Sequence, residues 1–424
     1  MLPRSRLFWA VSLGHLINDT FMSMGPVLLA FISASIVPLR VAEIGAILGI
    51  AALLGAVTQP FFGWLADRGN GRLLGAGGVA WTVSWMLVGV LAADSGLYWL
   101  MVPAFIIPAL GSGAFHPVGS LWAAESAKGR AASSLSYFFL MGQLGLGLGP
   151  ALAGLLLNGA TTVNHVYAQA LGPAFDARLI ERGTVTPVLS LGLLALPVVA
   201  LMALAIPSRR AHRRAKAAHT AVEARVVIPA RALALLVLMV ALRSLAQPGS
   251  VNFIPVLFQA RGWSPAEYGL ITSSFWLASG VAGVAFGLLA DRYDRRRVIA
   301  ASLLLSAPAF FFLPLSAGAA AFGLAMAAGA LSGGSHSIIV VMAQSFLPGS
   351  KGLASGAILG LIFGMGAVGN FLIGAVSEVI GLDATFQLVA GAIVLSAALA
   401  LTLPASRPLP PPLPADAEPA PAAV

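Results

Sequence analysis

The chain has 424 residues, of which 58% are hydrophobic and only 9% are charged. Soluble domains carry about 25% charged residues, and a soluble fold with so few would expose apolar patches that cause association. The composition excludes a soluble enzyme, a disordered chain and a disulfide-stapled secreted domain, and it indicates a protein with many membrane spans. The net charge of +9 does not indicate a nucleic-acid partner, because the basic residues form short clusters between long apolar runs. The chain has no cysteine, which excludes disulfides and thiolate metal sites.

Twelve apolar runs are long enough to cross a membrane, since a crossing helix needs about 20 apolar residues. The predicted spans are 7–36, 42–66, 73–92, 97–122, 132–157, 187–206, 231–258, 266–290, 297–315, 318–344, 353–377 and 384–404. Of the 24 Lys and Arg residues, 19 fall at the termini and in the loops of one side. The positive-inside rule makes that side cytoplasmic. We therefore predict an all-α membrane protein with twelve transmembrane helices and both termini in the cytoplasm.

A basic segment with little apolar content, residues 208–229, divides six spans from six. We interpret it as a solvated cytoplasmic linker, with a regulatory or partner-binding role as the alternative. The predicted organisation is an N-terminal bundle (1–207), the linker (208–229), a C-terminal bundle (230–405) and a disordered Pro- and Ala-rich tail (406–424). The outer loop 159–186 has no motif that indicates a role.

The two halves repeat one another. GWLADRGNGR at Gly63–Arg72 recurs as GLLADRYDRR at Gly287–Arg296, 224 residues later, and SAKGRAAS at Ser126–Ser133 has an echo, GSKGLASG, at Gly349–Gly356. Two motifs that recur with nearly the same spacing indicate that the two halves arose by duplication. Parallel six-helix repeats are a transporter architecture, with the substrate site between the repeats.

The repeated loop resembles the signature of the major facilitator superfamily, a Gly four residues before Asp-Arg and then further basic residues. The matching residues are Gly63, Asp67, Arg68 and Arg72, with Gly287, Asp291, Arg292, Arg295 and Arg296 in the second copy. The first copy departs from the pattern at Asn70 and Gly71. The resemblance implies two pseudo-symmetric six-helix bundles that work by alternating access. We interpret these residues as conformational gates, because an Asp there can face the positive end of a neighbouring helix; the alternative is simple charges flanking helices.

Span five contains GLGLGPALAG, Gly145–Gly154, which resembles the Gly-Pro signature of proton-driven drug antiporters. Gly149 and Pro150 are therefore further gating candidates, and ordinary small-residue packing is the alternative. HLINDTF (His15–Phe21) and GSGAFHPVGS (Gly111–Ser120) resemble the fosmidomycin-resistance-type exporters. This resemblance implies a monomer of the inner membrane that exports small molecules in exchange for protons, with no cofactor besides the coupling proton.

Ionisable residues inside the spans are few, and such residues mark functional sites because a charge in the membrane is costly. They are His15, Asp19, His116, Arg243 and His336. Every deeply placed ionisable residue falls on span one, four, seven or ten, and these four spans line the central cavity according to the family resemblance.

His15 and Asp19 stand four residues apart and so share one helix face. A carboxylate near the middle of a span, beside a group that titrates near neutral pH, can load and release a proton. We predict that Asp19 carries the coupling proton and that His15 tunes or shares it. A neutral hydrogen-bonded pair that fixes helix packing is the alternative.

Arg243 cannot easily lose its charge, and its guanidinium suits carboxylate, phosphate or phosphonate. Two roles are open: an ion-pair partner of Asp19 across the halves, or an anchor for an anionic substrate. Further substrate-binding candidates are His116, His336, Gln143, Asn252 and Asn370, with Gln59 and Gln247 as additional polar residues of the cavity wall. Each alone is also explained as a satisfied core histidine or as an interhelical hydrogen bond. We predict no metal site, because His116 and His336 lie in different halves.

The sequence therefore predicts a secondary transporter for proton-coupled efflux of a small anionic or amphipathic compound. It has no phosphate-binding loop with its Lys, which argues against direct ATP coupling, and no enzyme motif. The alternatives are a proton symporter for uptake of an organic anion and a membrane receptor or lipid-handling protein without coupled transport.

Overall fold

The computed structural model of the protein describes residues 5–66, 68, 71–126, 131–158, 184–207, 230–346 and 351–404. These residues are helical almost throughout and include no β-strand. The reason is the lipid environment that the apolar composition predicts. Lipid offers no hydrogen-bond partners, so the backbone N–H and C=O groups of a long apolar run must bond to each other within the segment. The prediction of an all-α membrane protein is confirmed.

The described residues form thirteen α-helices. They are α1 Arg6–Ser35, α2 Val41–Ala66, α3 Gly71–Asp94, α4 Tyr98–Ile106, α5 Pro108–Glu125, α6 Ala131–Leu157, α7 Leu191–Ala205, α8 Ala230–Ser244, α9 Ile254–Gln259, α10 Pro265–Arg292, α11 Arg295–Phe312, α12 Gly318–Phe346 and α13 Lys351–Thr402. Helices α4 and α5 follow each other directly and form one crossing, as do α8 and α9, which a π turn and a 3-10 turn connect.

Eleven helical segments among the described residues are long and apolar enough to cross a membrane. Ten of them match single predicted spans closely, and the eleventh, Gly360–Thr402, covers the last two. The linker 208–229, the tail 406–424, nearly all of the outer loop 159–186 and parts of the second sequence echo lie outside the described residues. The division into two bundles joined by the linker therefore stays a prediction.

Helix α13 is too long for a single straight crossing. Its 52 residues correspond to about 78 Å at about 1.5 Å per residue, against a hydrocarbon core of about 30 Å. Its backbone leaves the helical region at Gly381, where φ is 80° and ψ is 161°, a conformation that glycine adopts readily. This break lies between the eleventh and twelfth predicted spans. The count of twelve crossings and the cytoplasmic termini stay predictions.

Helix α1 is the most buried of the membrane segments and packs against α5 and α6. The two most extensive contacts between the first six predicted spans and the last six are those of α6 with α10 and of α2 with α13. Large apolar side chains such as Leu193, Leu204 and Val281 stay exposed, as expected of residues that face lipid. His15 and Asp19, which are buried on α1, therefore lie within the helix packing.

Within each of these two pairs, the helices approach each other backbone to backbone near one end. A Cβ on Gly45 of α2 would lie 3.0 Å from the Cα of Gly374 on α13, and a Cβ on Gly269 of α10 would lie 2.9 Å from the Cα of Gly154 on α6. Such approaches require residues without side chains. Glu378 adds a hydrogen bond, accepting from the backbone N–H of Ala42 at 3.0 Å. All these contacts lie at the helix ends that the sequence predicts on the outer side of the membrane.

Candidate functional site

A carboxylate lies between two imidazoles inside the helix bundle. His15 and Asp19 are one turn apart on α1, and the Nε2 of His15 is 3.2 Å from Oδ2 of Asp19. His116 on α5 reaches the same carboxylate, with its Nε2 3.5 Å from Oδ1. His15 and Asp19 are buried, whereas the side chain of His116 is 28% exposed. We call these three residues the acid–base cluster.

Backbone carbonyls orient both histidines of the cluster. Nδ1 of His15 donates to the carbonyl of Phe138 on α6, and Nδ1 of His116 donates to the carbonyl of Ser112, each at 2.8 Å. A carbonyl oxygen can only accept, so each Nδ1 carries a hydrogen. The ring of His15 also stacks on Phe138, with centroids 4.1 Å apart. Both rings are therefore held with Nε2 toward Asp19.

This orientation requires a positive charge in the cluster. A neutral imidazole with its hydrogen on Nδ1 has a lone pair on Nε2, and here that lone pair would face carboxylate lone pairs at 3.2 and 3.5 Å. The two contacts are attractive only when a proton or another cation lies between the nitrogen and the oxygen. The geometry therefore suits reversible binding of a cation.

Asn18 and Ser112 complete the surroundings of Asp19, and the sequence analysis missed both. The amide of Asn18 donates to Asp19 Oδ1 at 2.9 Å and to the hydroxyl of Ser112 at 3.0 Å. Its own oxygen accepts from Thr82 of α3 at 3.2 Å. The sequence did contain a signal for Asn18: an amide next to an acid inside a predicted span needs hydrogen-bond partners of its own. These bonds connect α1, α3 and α5 around the carboxylate.

Three glycines on one face of α6 allow it to approach the acid–base cluster. A Cβ at Gly142 would overlap the ring of His15 and lie 2.9 Å from Asp19 Oδ2. A Cβ at Gly145 would lie 3.0 Å from the Cβ of Asp19, and one at Gly149 would overlap the backbone oxygen of Thr20. Positions 142, 145 and 149 repeat at helical spacing and so form one stripe. This stripe is what lets the Phe138 carbonyl reach His15.

The opposite face of α6 packs on α10. The hydroxyl of Ser273 donates to the carbonyl of Gly147 at 2.5 Å, and the carbonyl of Pro150 lies against Gly269. The two gating candidates of the Gly-Pro motif are therefore divided: Gly149 contacts α1, and Pro150 contacts α10. Whether they gate transport stays a prediction.

Arg243 is fully buried at the end of α8. Its Nε donates to the Ser335 hydroxyl at 2.9 Å, and its Nη2 donates to Gln247 Oε1 at 2.8 Å and to the Ser332 carbonyl at 3.0 Å. Its Nη1 donates to the backbone oxygen of Gln247 at 3.3 Å, where the helix is interrupted (φ −148°, ψ 118°). The guanidinium thus connects the interrupted segment after α8 to α12 through hydrogen bonds to uncharged acceptors.

Of the two predicted roles of Arg243, the ion pair with Asp19 is not formed in this conformation. Its hydrogen bonds within the described part of the chain go to uncharged groups, and the described ion pairs of Asp19 are with His15 and His116. Arg243 is therefore not the ion-pair partner of Asp19 in this conformation. The reason is that each charged group finds its partners on helices of its own half.

The other predicted binding residues have separate positions. Asn252 donates to Asn370 Oδ1 at 3.1 Å, which is the interhelical bond that the sequence left open as the alternative. His336 is half-buried on α12, next to Ser335. Gln143 lies on α6 against Gly280 of α10, and its buried Oε1 accepts no hydrogen bond from the described residues. Gln143 thus lies between the two halves, and its side-chain oxygen is available to accept a hydrogen bond. Of the two additional polar residues, Gln247 binds Arg243 and the side chain of Gln59 is half-buried.

The loop motif residues contact their own half where the structure describes them. A Cβ on Gly63 would lie 3.6 Å from Pro117, the residue after His116. Arg68 stacks on the ring of Trp64, 3.4 Å from its centroid, and Arg72 donates to the Ile206 carbonyl at 3.0 Å. In the second copy, Gly287 has open space beside it among the described atoms, and Arg292 is exposed. Asp67 and the side chain of Asp291 lie outside the described residues.

Comparison with known proteins gives one consistent result. A sequence model described as the Major Facilitator Superfamily matches residues 11–259 and 236–424. The chain is 28% identical over 410 residues to the uncharacterized MFS-type transporter YfnC of Bacillus subtilis (strain 168), covering 94% of this chain and 93% of the relative. It is 26% identical over 385 residues to the fosmidomycin resistance protein of Escherichia coli (strain K12), covering 90% and 88%.

Solved transporters share the fold. A bacterial homologue of the human lysosomal transporter Spinster, in an inward-facing and occupied conformation, superimposes with a TM-score of 0.75 at 16% identity, covering 95% of this chain and 97% of that one. The inward open xylose transporter XylE from E. coli gives a TM-score of 0.69 at 15% identity, covering 94% and 96%. At these identities the similarity is evidence of the fold alone.

Proposed function

The chain belongs to the major facilitator superfamily, and we propose that it exports a small anionic compound across the bacterial inner membrane in exchange for protons. Its family and fold are those of multi-pass membrane transporters, which are not enzymes. One observation carries the proposal: the carboxylate of Asp19 is held between the Nε2 atoms of His15 and His116 at the centre of the bundle.

The acid–base cluster suits proton exchange because its contacts depend on bound protons. Removing a proton from an Nε2 leaves a lone pair against the Asp19 carboxylate, inside a region where charge is poorly solvated. Reprotonation relieves this repulsion. His116 is the most exposed member, so protons would enter and leave the cluster at its Nε2. A conformational change that moves this exposure from one side of the membrane to the other would couple proton flow to transport.

Arg243 supports an anionic substrate. A buried cation without an acidic partner is unfavourable, and the described partners of Arg243 are neutral. A substrate carboxylate, phosphate or phosphonate could take the place of these acceptors in a bidentate contact. The relative at 26% identity is named as a fosmidomycin resistance protein, so fosmidomycin, a small phosphonate, is the first compound to test.

The glycine contacts at the predicted outer end support loading from the cytoplasm. Gly45 with Gly374 and Gly154 with Gly269 bring the two halves together at that end, and an exporter must be closed there while it binds its substrate. A proton symporter for uptake passes through the same states in the opposite order. The direction of transport therefore has to be measured.

The test is transport in everted membrane vesicles that contain the protein, with an imposed pH gradient, acidic inside. Export predicts that external fosmidomycin accumulates in the lumen and that its addition discharges the gradient. Asp19→Asn should abolish both signals, because an amide cannot exchange the proton. An uptake symporter would instead release preloaded fosmidomycin under the same gradient.

Asp383→Asn is the matched control. This carboxylate is 55% exposed and pairs with Arg261 at the predicted outer surface, so its loss should leave coupling unchanged. Proton movement that persists at the wild-type level in Asp19→Asn would contradict the proposal. A protein that binds fosmidomycin without any gradient-driven movement would support a receptor instead.

A further inference from the structure

The three side chains of the acid–base cluster each present one ligand atom to a common point. One ligand atom from each of the three side chains lies within 4.8 Å of the other two. Nε2 of His15 is 3.2 Å from Oδ2 of Asp19, and Nε2 of His116 is 3.5 Å from Oδ1, the other oxygen of the same carboxylate. In a tetrahedral zinc site with bonds of about 2.0–2.1 Å, neighbouring ligand atoms are about 3.4 Å apart. Each nitrogen–oxygen distance is therefore close to an edge of a metal coordination tetrahedron, and the carboxylate can offer either oxygen.

The groups behind these ligands are those of a metal site. A histidine that binds a metal through one nitrogen usually donates its other N–H to a carbonyl or carboxylate, which fixes the ring. His15 does so to the Phe138 carbonyl and His116 to the Ser112 carbonyl, both at 2.8 Å. Asn18 holds the Asp19 carboxylate from the side at 2.9 Å. The ligand atoms are thus oriented before any ion arrives.

We propose that His15, Asp19 and His116 form a binding site for one divalent transition-metal ion, with Zn²⁺ as the best fit. Two imidazoles and one carboxylate are a typical three-ligand set for Zn²⁺ with a fourth position open, whereas Ca²⁺ and Mg²⁺ take oxygen ligands. One divalent ion would place positive charge in both nitrogen–oxygen contacts at once. The partial exposure of His116 provides access. This binding does not depend on the proposed transport function.

The test is isothermal titration of the purified full-length protein in detergent with ZnCl₂, without a histidine tag. The chain has six histidines and no cysteine. The triple variant His165→Gln, His212→Gln, His219→Gln removes the histidines of the loops and serves as the reference. We expect this reference to bind one Zn²⁺ per chain. Adding His116→Gln or Asp19→Asn should weaken binding by at least about tenfold, since even changes behind the ligands weaken metal sites by about 10–100-fold.

A second measurement separates coordination from a general effect on folding. Co²⁺ in place of Zn²⁺ gives the visible absorption of a tetrahedral site in the reference protein, and His116→Gln should remove that absorption. The unfolding temperature without metal identifies variants that have kept the fold, and His116→Gln changes the most exposed of the three ligands. No saturable Zn²⁺ binding by the reference protein, or equal affinity in a folded His116→Gln variant, would overturn the proposal.

Discussion

Arg72 and Arg296, 224 residues apart in the chain, make the same contact in the two halves of the protein. Arg72 donates to the Ile206 carbonyl just after the end of α7, at 3.0 Å. Arg296 donates to the Leu403 carbonyl just after the end of α13, at 3.2 Å. Carbonyls at a helix C-terminus have no partner within the helix, and a cation is favourable there. The basic residue that closes each loop motif therefore caps the last helix of its own half.

Replacing either of these arginines should lower stability. We expect Arg72→Ala and Arg296→Ala each to reduce the free energy of unfolding by about 1 kcal/mol, the net contribution of a partly exposed hydrogen bond. Thermal unfolding in detergent measures this as a lower midpoint temperature. Arg297→Ala is the control, because Arg297 is an exposed neighbour on α11. Equal midpoints for all three variants would show that the caps contribute nothing.

A side chain at position 142 should disrupt the acid–base cluster. In Gly142→Ala the new methyl group would overlap the His15 ring, so proton-coupled transport should fall by at least about tenfold through displaced geometry. Gly25→Ala on α1 is the control: Gly25 is buried with open space beside it, and alanine stabilises a helix by about 1 kcal/mol over glycine. The pH-gradient assay in everted vesicles measures both variants. Normal coupling in Gly142→Ala would show that α6 can retreat from the cluster.

A large side chain at position 154 should open the predicted outer end. Gly154 lies against the backbone of Gly269, so Gly154→Leu cannot keep the closed contact and shifts the population toward the other state. Because the chain has no cysteine, Ser273→Cys gives a single thiol at the buried α6–α10 contact. A membrane-impermeant maleimide added from outside the cell should label this thiol faster in the Gly154→Leu background. Gly323→Leu, at an exposed position with open space, should leave the labelling rate unchanged.

Arg243→Lys should impair transport of anions although it keeps the charge. A lysine ammonium is a compact point charge and cannot reproduce the planar contacts that reach Ser335, Gln247 and Ser332. We expect uptake of fosmidomycin into everted vesicles to fall by at least about tenfold. Arg261→Lys is the matched control, since the pair of Arg261 with Asp383 is exposed and such pairs contribute about 0–1 kcal/mol. Full activity of Arg243→Lys would mean that charge alone suffices.

The helices were predictable because lipid imposes one requirement on every crossing segment. Backbone groups without water must bond within the segment, so the apolar runs alone located ten crossings closely. The break of α13 at Gly381 was anticipated only as a gap between two predicted spans. The interruption between α8 and α9 at Gln247 was not predicted, because Pro248 shows where a helix can bend but does not show which carbonyl is released.

The residues of the candidate site were predictable one helix at a time. The four-residue spacing of His15 and Asp19 placed them on one face, and their contact is present. The approach of His116 depends on how α5 is rotated against α1, which periodicity does not determine. Opposite charge suggested that Arg243 pairs with Asp19, but charge complementarity cannot identify the helix face on which a residue lies. The glycines at 142, 145 and 149 were a readable signal that α6 packs closely on a neighbour.

Helix α6 meets the backbone of a neighbouring helix on two sides, that of α1 at Gly145 and Gly149 and that of α10 at Gly154. Side chains normally absorb small displacements by changing rotamer, and this adjustment is limited where backbone atoms of the neighbouring helix lie directly against the glycines. We therefore expect that a shift of α1, when the acid–base cluster gains or loses a proton, displaces α6 as a rigid body and α10 with it. In the proposed function the helices around Arg243 contact the substrate, so substitutions there would change substrate preference without interrupting this connection.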